Sequence, residues 1–204
     1  MLVAMRSFLP ALVLASACAG SPRPAPVAPV PVAPQDTAAA PAGDLHDFDD
    51  FAGGWTFTNK RLKARNVGST EWDEFPAVSC TVTYLDGVSN VDEIYFPTKG
   101  WSGLTVRTFD TAKKRWSIYW VNSREGVMYP PVHGGFTGNE GNFYGDDHDG
   151  DVPVKARFHW IKYSRDHLEW EQYFSYDGGK TWEMNWTNEL TRADDVCDRG
   201  RPRR

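Results

Sequence analysis

No stretch of this chain reaches the about 20 apolar residues that a membrane-spanning helix needs, and the apolar run near its start, Phe8 to Val13, is broken by Pro10. From Gly53 to Thr191 no segment carries the apolar stripe of an amphipathic helix. A P-loop, a nucleophile elbow, a paired C-x-x-C and an H-E-x-x-H are all missing, which leaves serine-nucleophile and zinc hydrolases unsupported. Positive charge is also scarce. Residues 44–195 hold 25 acidic against 16 basic side chains, a net of −9, so nucleic acid is not an expected partner. Cysteine is limited to Cys18, Cys80 and Cys197.

What is present begins with Arg6, the short apolar run and Leu14-Ala15-Ser16-Ala17-Cys18. A positive start, a brief apolar stretch and small residues before a cleavage point read as an export signal. The stretch resembles a bacterial lipoprotein signal with its lipobox, with Ala15 where leucine is more usual. That resemblance implies removal of residues 1–17 and lipidation of Cys18. Ala19 is not the aspartate that retains some lipoproteins in the inner membrane, so the implied address is the outer membrane, facing the periplasm. Plain secretion and an uncleaved anchor are the alternatives. Ala19 to Gly43 is built from Pro, Ala and Val, with only Arg23 and Asp36 charged. Such a segment favours extended polyproline II at about 3.1 Å per residue and is expected to be a disordered tether. The organisation expected is therefore a signal at 1–17, a lipidated cysteine and linker at 18–43, one domain at 44–195 and a disordered tail at 196–204 carrying four arginines. The domain, about 150 residues, can enclose a single core. With Cys18 acylated, Cys80 and Cys197 are an even pair in an oxidising compartment; a disulfide between them or two separate thiols both stay open, since spacing does not show reach.

Strand-like runs rich in Trp, Tyr, Phe, Val and Thr fall near 54–62, 70–75, 77–85, 91–96, 103–109, 115–122, 142–146, 153–162, 167–175 and 181–191, about ten in all. Asp86-Gly87, Asp110 to Lys114, Ser164-Arg165-Asp166 and Asp177-Gly178-Gly179 supply the turns between them. Short connections imply sequential antiparallel pairing, and the pattern predicts an all-β, up-and-down barrel, with a sandwich as the alternative. Phe51-Ala52-Gly53-Gly54-Trp55 at the start of the first strand and Arg192 after the last are similar to the calycin-like barrels, the lipocalins and fatty-acid-binding proteins. The resemblance implies that Trp55 packs across a closed end near Arg192. The signature of haem-binding nitrobindin-type barrels is absent. Ser175-Tyr176-Asp177-Gly178-Gly179-Lys180-Thr181-Trp182 fits the Asp-box pattern, which implies a stabilised hairpin, since a single copy does not make a propeller.

Alternation assigns the faces. Trp116, Ile118, Trp120 and Asn122 share one side, as do Leu168, Trp170, Gln172 and Phe174, and as do Trp182, Met184, Trp186 and Asn188. The opposite sides carry Glu169, Glu171, Glu183 and Glu189, whose burial without partners would cost several kcal/mol each, so the tryptophans are predicted to point inward. Apolar walls with a few convergent amides make a small-molecule site, and Trp120, Asn122, Trp170, Gln172, Trp186 and Tyr95 are its candidate residues, with a solid core as the alternative. No cofactor is implied and no particular protein partner is indicated. Of the adjacent Asp92 and Glu93 one must face inward, where Arg107 on the next strand can pair with it or leave it free as a general base. Arg124, Tyr129 and His133 lie in the long connection 122–135, expected to border a barrel mouth. His133 is a further acid/base candidate. Asp147, Asp149 and Asp151 alternate in the manner of a calcium loop, but Gly150 falls between ligands and position 158 is Phe, so an acidic hairpin tip is expected. The leading expectation is an envelope-anchored barrel that binds a small, partly apolar or aromatic molecule. An acid/base isomerase or lyase using Asp92 or Glu93 with Arg107 and His133, and a structural lipoprotein without ligand, are the alternatives.

Overall fold

Ten antiparallel strands close into one barrel in a computed structural model that describes residues 40–203. The expected signal, Cys18 and the tether up to residue 39 lie outside the described residues. The strands are β1 (Gly53–Leu62), β2 (Trp72–Tyr84), β3 (Ser89–Phe96), β4 (Trp101–Asp110), β5 (Arg115–Asn122), β6 (Val132–Thr137), β7 (Glu140–Asp149), β8 (Val152–Ser164), β9 (His167–Ser175) and β10 (Glu183–Arg192). Each pairs with the next, and β1 also pairs with β10, from Trp55↔Arg192 to Arg61↔Trp186. The barrel reading holds and the sandwich does not. Closure leaves no strand of the barrel as a free edge.

Two sequence boundaries are corrected. The runs at 70–75 and 77–85 are one strand, β2, continuous through Pro76. Residues 72–77 pair with β1 alone, because β3 joins β2 only from Val78 onward, so a proline without an N–H fits there. Conversely, the last four residues of the presumed irregular connection, 132–135, belong to β6, hidden by Gly134-Gly135. A Cβ on Gly134 would stand 1.9 Å from the Asn142 carbonyl oxygen, and one on Gly135 2.3 Å from Gly43 Cα. The two glycines mark close backbone approach within a strand, not a loop.

One end of the barrel is sealed by the segment preceding β1. Gly43 N donates to Lys114 O at 2.7 Å, Trp116 Nε1 to Asp44 O at 2.8 Å and Phe136 N to Asp47 Oδ2 at 3.1 Å. These bonds set Phe48 and Phe51 into a ring of Trp116, Phe136, Phe143 and Trp160, with edge contacts of 4.7 to 6.3 Å between centroids. Edge-to-face pairs of this kind add to the stabilisation from burial itself. The tryptophan–arginine contact implied by the calycin resemblance is present. The Arg192 guanidinium lies 4.2 Å from the Trp55 ring and donates to Ala52 O and Arg165 O, while Trp55 Nε1 donates to Phe51 O at 2.9 Å.

Residues 196–203 correct the expectation of a disordered tail. A disulfide joins Cys80 on β2 to Cys197, with the Cα atoms 5.8 Å apart. Beyond it β11 (Cys197–Asp198) pairs with β12 (Arg201–Pro202), Pro202 is buried and Arg203 N donates to Val196 O at 2.8 Å. The sequence offers four arginines and no large apolar anchor there, but the covalent link supplies the anchor. Arg199 and Gly200, both at positive φ, make the turn. Replacing Cys80 and Cys197 together by serine is expected to cost about 2–5 kcal/mol in urea unfolding, the usual loss for a native bridge. An unchanged unfolding midpoint would deny the bridge that role.

Candidate functional site

Inside the barrel, above the sealed end, lies a cavity of about 520 Å³, within the range of small-molecule sites. Its walls follow from the strand period. On β3, Asp92, Ile94 and Phe96 face inward, so Glu93 and Tyr95 face away; on β4 the inward set is Trp101, Gly103, Thr105 and Arg107. Trp120 and Asn122 of β5, Trp170 and Gln172 of β9, and Trp186 of β10 all line the cavity, as their alternation predicts. Tyr95 does not, and its assignment to the site is corrected: it alternates with Ile94 and Phe96 and takes the outer face. Trp182 is likewise displaced, packing 6.2 Å from the Tyr144 ring instead of lining the cavity. The cause is a bulge between Met184 and Trp186, which resets the parity of β10 and buries Asn185.

The aromatic wall is continuous. Trp170 meets Phe158 at 5.1 Å, Trp186 at 5.9 Å and Trp160 at 6.3 Å. Trp120 lies over bare backbone: a Cβ built on Gly103 would fall 1.8 Å from its indole. Polar groups punctuate this wall. Gln172 Nε2 donates to Asn185 Oδ1 at 2.8 Å and Trp186 Nε1 to Asn59 Oδ1 at 3.1 Å. Asn188 Oδ1 and Trp160 Nε1 are buried without a hydrogen-bond partner among the described residues.

Of the adjacent carboxylates, Asp92 enters the cavity and meets Arg107. Their side chains are 8% and 5% exposed, with Asp92 Oδ1 at 2.6 Å from Arg107 Nη1. The approach is off-axis, which leaves Oδ1 and Arg107 Nε without an aligned hydrogen-bond partner. Nη1 also donates to Asn90 Oδ1 at 2.9 Å, and the rings of Phe48, Phe51 and Trp160 stand 5.2, 5.6 and 5.9 Å from the guanidinium. Asp92 is thus committed to an ion pair on the cavity floor and is not a free base. Glu93 points away from the cavity. His133 is on the outer face, bonded to Ser117 Oγ at 2.9 Å, and burial with Arg115 and Lys113 nearby depresses its pKa. Its place in an acid/base set is corrected: β6 turns it away from the interior.

The opposite end is the mouth. Residues 123–131, the β7–β8 tip and the connection after β1 meet there. The Tyr129 and His148 rings stack at 5.1 Å, and the Tyr129 hydroxyl donates to Glu125. Arg65 Nε donates to both Asp149 oxygens at 3.0 Å, and Tyr176 OH reaches the same carboxylate at 2.8 Å. The acidic tip is therefore tied into the rim. Asp147, also on the rim, has its pKa raised by burial. Arg61 stands over Trp186 at 4.6 Å and Arg124 over Trp101 at 4.8 Å. Sequence reasoning did not put Arg61 at the site, although it shares the parity of Trp55, Phe57 and Asn59 on β1. The Asp-box hairpin is structural: Asp177 takes hydrogen bonds from Thr181 N, Lys180 N and the Thr181 and Ser175 hydroxyls at 2.7 to 3.0 Å, which pull its pKa well below the usual carboxylate range.

No family model matches the chain, and no curated protein does. Among solved structures it is similar to the S-type phycobiliprotein lyase of Guillardia theta, with a TM-score of 0.44 and 10% identity over 72% of this chain and 90% of that one. At that identity no residue correspondence follows. The class that the geometry defines is a closed ten-stranded barrel, sealed at one end and hollow at the other.

Removing one member of the floor ion pair leaves the other as an unpaired buried charge. Asp92→Asn or Arg107→Met alone is expected to lower unfolding free energy by about 3–5 kcal/mol, and the double change Asp92→Leu with Arg107→Met to recover most of it. Denaturant titration of the three variants checks this. A single change costing under about 1 kcal/mol would mean that water already satisfies the pair.

Proposed function

We propose that this protein is a small-molecule-binding barrel whose ligand is partly apolar or aromatic and lies between Trp120, Trp170 and Trp186. The observation that carries the reading is the cavity of about 520 Å³ lined by those three indoles. Asn122 and Gln172, in the same wall, supply orienting hydrogen bonds. Catalysis through a cavity carboxylate has weaker support, because Asp92 is held by Arg107 and Glu93 faces away.

Quenching of intrinsic tryptophan emission by an envelope-metabolite panel tests the proposal. Saturable quenching is expected from at least one flat apolar compound, weakened tenfold or more in Trp120→Ala. A panel that gives only linear, non-saturating quenching would refute it.

The placement belongs to the same proposal. Cys18 in its lipobox-like context supports a lipid anchor in the envelope, and the Pro/Ala-rich segment supports a spacer between membrane and barrel. In a diderm bacterial host, Cys18→Ser is expected to move the protein from the membrane fraction to the soluble fraction. Retention of the variant in the membrane would argue for another means of attachment.

A further inference from the structure

The mouth of the cavity is asymmetric in how its charges are matched. Arg65 is fully engaged by Asp149, which Tyr176 also holds. Glu125 accepts from Tyr129, and Asp147, whose pKa burial raises, accepts from His148 N at 2.8 Å. Arg61 and Arg124 have no such match: neither guanidinium forms an ion pair or side-chain hydrogen bond with another described residue. Both instead stand over cavity tryptophans, Arg61 4.6 Å from the Trp186 ring and Arg124 4.8 Å from the Trp101 ring. Arg61 is half-buried and Arg124 exposed; Arg65 and Arg124 repel Arg61, and Asp149, already bound to Arg65, attracts it without forming an ion pair with it. An arginine remains charged under these conditions, so a cation with no carboxylate in contact stands at the edge of an apolar space.

Resting on the reading of the cavity as a binding site, we infer that Arg61 and Arg124 together form the docking point for an anionic group, a carboxylate or a comparable oxyanion, carried by a ligand with a flat apolar body. The guanidinium fork suits two-point recognition of such a group. The tryptophans beneath the two arginines hold them in place by cation–π contact, which limits the conformational freedom lost on binding. The body of the ligand then extends inward along Trp120 and Trp170. The chemical class is a small amphiphilic acid. A neutral hydrocarbon would leave Arg61 and Arg124 unmatched, and a polar anion without an apolar body would leave the indole wall without a partner.

A matched pair of probes tests this: anilinonaphthalene sulfonate and phenylnaphthylamine share an aromatic body and differ in the charged group. The sulfonate is expected to bind the wild-type protein at least tenfold more tightly. In the double variant Arg61→Gln with Arg124→Gln that preference is expected to fall to within twofold of unity. Arg165→Gln removes the same charge at the sealed end and is expected to leave the preference intact. In wild-type protein at about 1 M salt, where screening acts over about 3 Å, the preference is expected to shrink without any substitution. Equal affinity for the two probes, or a preference that survives both the double variant and high salt, would overturn the assignment of the arginines while leaving the cavity a binding site. Failure of both probes to bind would remove the binding reading itself and this inference with it.

Discussion

Arg107, a buried cation, joins the sealed base to the hollow interior. Its guanidinium is paired with Asp92 and Asn90 on the neighbouring strand and covered by the rings of Phe48 and Phe51, which arrive from outside the barrel proper. Desolvating an isolated guanidinium would cost several kcal/mol. The carboxylate and the aromatic faces offset that penalty only when the segment before β1 is seated. Seating it in turn relies on the hydrogen bonds that Gly43, Asp44 and Asp47 make to Lys114, to Trp116 of β5 and to Phe136 of β6. The floor of the cavity and the plug of the barrel are therefore two sides of one arrangement.

The two ends are held by different physics. At the base, Phe48, Phe51, Trp55 and Trp116 are almost wholly removed from water, and their burial stabilises by roughly 1.5–3 kcal/mol per side chain. At the mouth the bonds are largely between partly exposed groups, such as Tyr129 with Glu125 and Arg65 with Asp149, whose worth is modest because water competes for them. Opening free energies follow the same gradient, with the low-stability end at the rim. The rim can thus loosen without disturbing the plug.

Much of this was readable from the chain. Period-2 alternation with acidic residues on the far face put Trp120, Trp170, Gln172 and Trp186 inside, because sheet geometry leaves only two choices and charge burial decides between them. The same logic could not place Tyr95, because the adjacent Asp92 and Glu93 left the parity of β3 open; the floor pair shows that Asp92 faces inward. Alternation failed at Trp182, where a one-residue bulge resets β10 after the Asp-box hairpin; bulges carry little sequence signal unless glycine marks them. β6 was hidden because Gly134-Gly135 reads as a turn, and the reasons for those glycines are non-local: the Asn142 carbonyl of β7 crowds Gly134 and residue 43 crowds Gly135. His133 looked chemically suggestive, yet its face depends on a strand that the glycines conceal. The ordered hairpin after Cys197 was not legible because its anchor is a cross-link between residues far apart in sequence.

The missing side chain at Gly103 shapes the cavity as much as any side chain present. Trp120 occupies the space in which a Cβ would stand, so its indole is flush with the wall of β4 instead of projecting across the interior. Free volume in the barrel is consequently governed from a position that contributes no atoms to a guest. Drift at that position, even to alanine, would swing the indole into the lumen and reduce its free volume, so the size of the hollow is set by a residue that an inventory of lining side chains would overlook.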